Sequence, residues 1–259
     1  MSDALPVWIE RHAIRASEMD FKGHLSVRAL CELLQEAGGN HAQALGVGVD
    51  QLIPQGWTWV LREWQFEMLA WPRWRDEVTI ETWPSGLDEM VATRDFRLHD
   101  GGGRSIGRAT SRWMMVDFRR RRPIRMPDAV RAIRRPERSG LAADTLPRGG
   151  PASEPGLAVD YRVRFADLDI NEHVNNVSYV EWVLETVPRE VLRGGTLAAM
   201  TIAFRAECRS ESTVTVERRA DPERSAPGRP AFLHRVLEKE GARELVAART
   251  LWDRFATTT

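Results

Sequence analysis

Two rhythms of apolar residues alternate along this chain. Val27, Leu30, Leu34, Ala37, His41 and Leu45 follow one another at spacings of three and four, which marks one face of a long helix. Ser26 stands just before them as an N-cap, because its hydroxyl can accept an orphan amide of the first turn. Gly46 and Gly48 end the pattern. Gly38 and Gly39 interrupt its middle at about 1 kcal/mol each relative to Ala, so something is expected to pack very closely there, a strand or a ligand chain. Elsewhere the period drops to two. A strand is expected over 7–15, and four more near 57–69, 77–83, 90–99 and 104–118. In the stretch at 57–69, Trp57, Trp59 and Leu61 alternate with Thr58, Val60 and Arg62, as a pleated strand requires.

The second half repeats this outline. A strand at 158–165 leads through a polar loop to a helix over about 176–187, with Val177, Val180, Leu184 and Val187 on its buried face and Pro188 as its stop. Strands follow near 197–207, 211–219, 229–238 and 243–254. Aligning His24 with His173 sets Asp20 on Asp169 and Lys22 on Asn171. The halves therefore read as an internal duplication whose polar loop has diverged. Between them, residues 119–157 crowd arginines (119–122, 125, 131, 134, 135 and 138) among prolines. They read as a linker with a short helix near 127–135. The expected organisation is a domain at 1–118, the linker, and a domain at 158–259.

Composition narrows the function. The chain has 259 residues and 42% hydrophobic content, and its 37 basic residues balance 37 acidic ones. That balance gives no global field for nucleic acid. No apolar run approaches the roughly 18–20 residues that span a bilayer. Cys31 and Cys208 are the only cysteines, too few for a disulfide framework or a zinc site; no metal or cofactor is expected, and a reducing, cytoplasmic setting fits.

The segment richest in chemistry is Asp167-Leu168-Asp169-Ile170-Asn171-Glu172-His173-Val174-Asn175-Asn176, with Tyr179 and Trp182 on the helix beyond. In an extended loop a D-x-N-x-H run aims carboxylate, amide and imidazole the same way. Free amides at 174–176 on the helix N-terminus would then stabilise a developing oxyanion, and imidazole suits proton transfer near neutral pH. A short polar loop of this kind is also ordinary capping chemistry, so the fragment alone decides little.

The fuller string resembles the H-V-N-N-x-x-Y signature of hot-dog thioesterases, and most of the chain is similar to the plant and bacterial acyl-ACP thioesterase family. The resemblance rests on this loop and on Arg205-Ala206-Glu207-Cys208. It also rests on Leu34-Gln35-Glu36-Ala37 with Asn40-His41, Thr58-Trp59-Val60 and Arg112-Trp113-Met114-Met115. It implies an α+β fold, a tandem (double) hot-dog in which each half is a long antiparallel sheet wrapped around a central helix. It further implies hydrolysis of fatty acyl-acyl-carrier-protein thioesters, with the acyl chain held by the first half. The partner would be an acyl carrier protein bearing a fatty acyl chain; no nucleic acid or membrane is implied, and a homodimer is left open.

Carried over residue by residue, the catalytic set is Asp169, Asn171, His173 and Glu207. Glu207 would act as nucleophile or as general base on water, Asn171 and His173 would orient and polarise the thioester, and Asp169 would orient its neighbours. The alternative makes Cys208 a papain-like nucleophile. Glu207 and Cys208 are expected on a strand, where adjacent side chains leave opposite faces, so only one can meet the loop. Asp20 and His24 imitate the loop in the first half without a Glu-Cys pair, and His41 reads as a core histidine. Rival functions are an acyl-CoA thioesterase and a non-catalytic acyl-thioester sensor.

Overall fold

In a computed structural model of the chain, residues 6–138, 140–146, 156–169, 172–241 and 243–254 are described. Two compact units emerge, Met1–Ala142 and Ala143–Thr259. The first contains β1 (Trp8–Ala13), α1 (Val27–Ala44), the single turn α2 (Val49–Leu52), β2 (Trp57–Met68), β3 (Glu77–Leu87), β4 (Val91–Asp100), β5 (Ser105–Asp117), β6 (Arg122–Ile124) and the turn α3 (Asp128–Arg131). Its strands lie in the order β1-β3-β4-β5-β2, each pair antiparallel. The Ser26 hydroxyl caps α1 by accepting the Ala29 amide at 3.1 Å.

Helix α1 packs across β3 and β1. Leu30, Leu34, Ala37 and His41 are buried on the helix, and Val78, Ile80, Thr82, Phe96 and Leu98 on the strands. Each buried aliphatic or aromatic side chain contributes about 1.5–3 kcal/mol. The close approach expected at Gly38 is to a strand: a Cβ there would meet Arg94 Cδ at 3.2 Å and Phe96 at 3.6 Å, both on β4, whereas one at Gly39 would meet nothing within 4 Å. His41 is a satisfied core histidine. Its Nδ1 pairs with Arg94 Nη1 at 3.0 Å, and its ring stacks on Trp8 with centroids 5.9 Å apart.

The linker reading of 119–157 needs correction over its described part. Residues 122–124 pair with β5 as β6. Met126 and Val130 are buried with Val47, Leu52 and Met115. Further on, the Leu141 amide donates to Thr110 Oγ1 at 3.2 Å, and Gln65 donates to the Ala142 carbonyl at 2.8 Å. Asp144 belongs to the second unit, where Thr201, Arg224 and Arg249 all donate to its carboxylate. Apolar anchors spaced among the arginines fix the segment, and the density of charge hid them.

The second unit contains β7 (Leu157–Arg162), α4 (Asn176–Glu185), α5 (Arg189–Gly194), β8 (Gly195–Phe204), β9 (Thr213–Ala220), β10 (Ala231–Glu238) and β11 (Glu244–Arg254). Its order, β7-β9-β10-β11-β8, is antiparallel throughout and repeats that of the first unit. Helix α4 packs on β9 and β10. Helix α4 ends at Glu185 with Thr186 as its C-cap, short of the expected 187, and Pro188 serves as N-cap of α5. Each unit is thus a sheet wrapped around a helix, as the duplicated pattern predicts.

Candidate active site

The loop between β7 and α4 is built on two carboxylates. Asp167 is buried; its side chain accepts the Arg164 amide at 2.7 Å and the Arg164 guanidinium at 2.7 and 3.1 Å. Its carbonyl takes the Asn175 amide at 2.8 Å and the Ser178 hydroxyl at 3.2 Å. Asp169 then closes a tight turn. Its amide donates to the His173 carbonyl at 2.8 Å, its carbonyl accepts the Glu172 amide at 3.1 Å, and its Oδ1 accepts the His173 amide at 3.3 Å. The turn requires Glu172 at φ +60°, a left-handed conformation that costs an ordinary residue roughly 1–2 kcal/mol. Strain of this kind concentrates at functional sites. Asn175 caps α4, its side chain accepting the Val177 amide at 3.2 Å.

The turn presents His173 to the segment that follows β8. His173 Nε2 lies 3.7 Å from Glu207 Oε2, with the imidazole 22% and the carboxylate 49% exposed. The two segments are also joined through the backbone: His173 bridges to Arg209, and the Val174 amide donates to the Cys208 carbonyl at 3.0 Å. Two of the expected residues, His173 and Glu207, are therefore brought together, and Asp169 holds the turn that carries the first. Asn171 lies outside the described residues.

Two expectations change here, and the preference for Glu207 over Cys208 does not. Glu207 and Cys208 do not lie on a strand, because β8 ends at Phe204; they sit in an irregular extended segment. Their sides differ all the same, since Glu207 is half exposed and Cys208 is 1% exposed. The Val174 and Asn175 amides are not free for an oxyanion, being spent on Cys208 and Asp167; fixing the loop takes precedence over leaving donors open. Cys208 does not sit as a poised nucleophile. Burial pushes its thiol up, which disfavours the thiolate, and its Sγ lies 3.7 Å from the Arg209 carbonyl. Tyr179, buried on α4, lies beside the Cys208 backbone, and burial raises its hydroxyl too. Among the described residues no group of side chains could hold a metal.

The first unit carries the same frame with different chemistry. The Asp20 amide donates to the His24 carbonyl at 2.7 Å, and Asp20 Oδ1 accepts the His24 amide at 3.0 Å. Gly23, at φ +78°, takes the place of Glu172. Leu69 and Ala70 both donate to the Ile106 carbonyl, as Arg205 and Ala206 do to that of Leu245. The Leu25 amide donates to the Pro72 carbonyl, as Val174 does to Cys208. Trp71 therefore stands where Glu207 stands. The sequence alignment stopped at the loop, and no spacing rule marks Trp71, because the segments after β2 and β8 correspond through hydrogen bonds rather than through residue type. Arg94, half-buried, shares the helix-facing side of β4 with Phe96, donates to His41 and Thr82, and is lowered to about 10 by desolvation.

Residues 6–134 match the acyl-ACP thioesterase N-terminal domain, and residues 152–254 match the acyl-ACP thioesterase C-terminal domain. The chain belongs to the acyl-ACP thioesterase family. Among relatives in this family, the chloroplastic oleoyl-acyl carrier protein thioesterase of Coriandrum sativum is 33% identical over 224 residues, 79% of this chain and 60% of that protein. Oleoyl-acyl carrier protein thioesterase 1 of Arabidopsis thaliana, also chloroplastic, is 31% identical over 223 residues, 79% of this chain and 61% of its own length. The chain thus spans about three fifths of the length of these curated relatives. Among solved structures, the 12:0-ACP thioesterase from Umbellularia californica shares 27% identity at a TM-score of 0.85, covering 96% of this chain and 94% of that one. An acyl-ACP thioesterase from Bacteroides thetaiotaomicron shares 23% at 0.84, covering 98% and 100%. The fold is the tandem hot-dog.

Proposed function

We propose that this chain hydrolyses fatty acyl-acyl-carrier-protein thioesters, releasing free fatty acid and so ending chain elongation. The approach of His173 Nε2 to the Glu207 carboxylate at 3.7 Å carries the reading, because it pairs an imidazole with a solvent-reaching carboxylate in a loop fixed by Asp169. Glu207 takes a proton from water as the water oxygen attacks the thioester carbonyl carbon. Asn171 and His173 orient and polarise that carbonyl. When the carbon–sulfur bond breaks, the departing thiolate takes up the proton, leaving carboxylic acid and carrier thiol. The raised, buried thiol supports leaving Cys208 out of the mechanism.

The catalytic groups belong in this reading to the second unit, and the first is assigned the acyl chain. The tryptophan-rich first half supports that assignment, with Trp57 and Trp59 packed half-buried against the Val47 cluster. The partner is an acidic carrier protein. A reducing, cytoplasmic compartment is proposed on the two cysteines, both free and buried; among the described residues no helix is long and apolar enough to cross a membrane.

Initial rates on acyl-ACP and on acyl-CoA of matched chain length test the reading. Faster turnover of the ACP ester is expected. Equal or faster turnover of acyl-CoA would replace the carrier, and tight binding of either without turnover would make the protein a sensor.

A further inference from the structure

We infer that Arg243 is a positioning residue for Glu207, holding from outside the backbone from which that carboxylate projects; the inference rests on the proposed hydrolysis at Glu207. Glu207 lies past the last ladder pair of β8, so no strand pairing fixes its main chain. Its neighbours are tied on both sides. Upstream, the Arg205 and Ala206 amides share the Leu245 carbonyl at 2.8 and 3.3 Å. Downstream, the Cys208 carbonyl accepts from Val174 at 3.0 Å. The Glu207 carbonyl itself is taken by Arg243, whose Nη2 donates to it at 3.0 Å.

The guanidinium that makes this bond is itself aimed. Glu238, the last residue of β10, receives Arg243 Nε at 3.2 Å and Nη2 at 3.4 Å. The Glu238 amide donates to the Arg243 carbonyl at 2.9 Å, closing the hairpin that carries both side chains. A planar fork held by a carboxylate on one side retains little freedom on the other. The fork thus sets the peptide of Glu207, and with it the distance from carboxylate to His173. A displacement of about 1 Å in a reacting group costs up to ~100-fold in rate, so a grip on one carbonyl in an otherwise irregular segment bears on kcat.

Arg243→Ala, Arg243→Lys and Glu207→Gln are to be compared with the wild-type chain on one acyl-ACP, recording kcat, KM and thermal melts. Arg243→Ala is expected to lower kcat about tenfold while KM stays within about twofold and the melt is little changed. Lysine keeps a donor that can reach a single carbonyl, so Arg243→Lys is expected to recover most of the lost kcat. A wild-type kcat in Arg243→Ala overturns the inference. So does a raised KM at unchanged kcat, which would make Arg243 a contact for the carrier, or a failure of lysine to restore any rate. An Arg243→Ala chain that fails to fold leaves Arg243→Lys to decide: a folded lysine variant with wild-type KM and kcat within about threefold supports the grip, and one slowed about tenfold or more overturns it. Glu207→Gln tests the reading beneath it separately, since retained turnover there removes the hydrolytic role of Glu207 whatever Arg243 does.

Discussion

Glu207 and Cys208 are neighbours with opposite environments, and substitution separates their roles. Glu207→Gln keeps shape and removes charge, so kcat is expected to fall by about two to three orders of magnitude with carrier binding retained. Cys208→Ala deletes a buried thiol and is expected to lower the melting temperature more than the rate; a dead Cys208 variant beside an active Glu207 variant would reverse the assignment. Glu172 offers a second residue-scale test. It occupies the left-handed conformation that Gly23 occupies in the first unit, so Glu172→Gly is expected to stabilise the chain by about 0.5–1 kcal/mol, read as a shift in urea midpoint. At this scale the sequence singled out candidate residues and missed how the backbone around them is spent. Asp169 and His173 stand out by identity, but nothing in Val174 or Asn175 announces that their amides are already bonded to Cys208 and Asp167.

Elements were legible where one periodicity persists. Helix α1 runs from Val27 to Ala44 behind its serine cap as the spacing predicts, because a long apolar face needs no tertiary information to declare itself. The end of β8 was not legible: Arg205, Ala206 and Glu207 alternate well enough to extend a strand, and only the loss of pairing partners stops it at Phe204. The paired glycines of α1 divide cleanly. Gly39 faces open space, so Gly39→Ala is expected to stabilise the chain by about 0.8–1 kcal/mol. Gly38→Ala is expected to gain less or lose, since the new methyl must displace the Arg94 side chain at 3.2 Å. Thermal melts of the two variants check the difference. The β5–β6 turn carries Arg119 to Arg121 and Arg122 opens β6, with Asp117 accepting the Arg119 and Arg120 amides at 3.0 and 2.9 Å. Charge reversal at Arg121, Arg122 and Arg125 is expected to raise the apparent KM for acyl-ACP and flatten its salt dependence, while a small acyl thioester is turned over as before. Equal loss on both substrates would remove the turn from carrier docking.

At the scale of the whole molecule, the acid limit of stability is set in part by one histidine of the second unit. His234 is fully buried between two threonines. The Thr186 hydroxyl donates to the Val183 carbonyl at 2.7 Å and therefore accepts from His234 Nδ1 at 3.1 Å, so Nε2 accepts from Thr250 at 3.0 Å. Burial, with Arg218 adding to it, lowers this imidazole from 6.5 to about 3. The unfolded chain then takes up the proton first, so the contribution of His234 is complete above pH 6.5 and is lost as pH falls toward 3. Unfolding free energy is expected to drop by up to about 1.4 kcal/mol per pH unit on this account, and between pH ~6.5 and ~5 the carboxylates add little. Urea midpoints over that interval, with His234→Gln as the flatter reference, measure it. The tandem architecture was visible in the repeated pattern, yet the divergence of the first polar loop's partner was not, because Trp71 stands where Glu207 stands while the Asp20–His24 and Leu25–Pro72 bonds of the frame are kept. That silence has a consequence for descent. On the proposed assignment Lys22 and Trp71 carry no step of the reaction, whereas Asp20 closes the turn through both its amide and its carboxylate, so related chains are expected to vary at the first two and to keep the third, holding a carboxylate for shape alone.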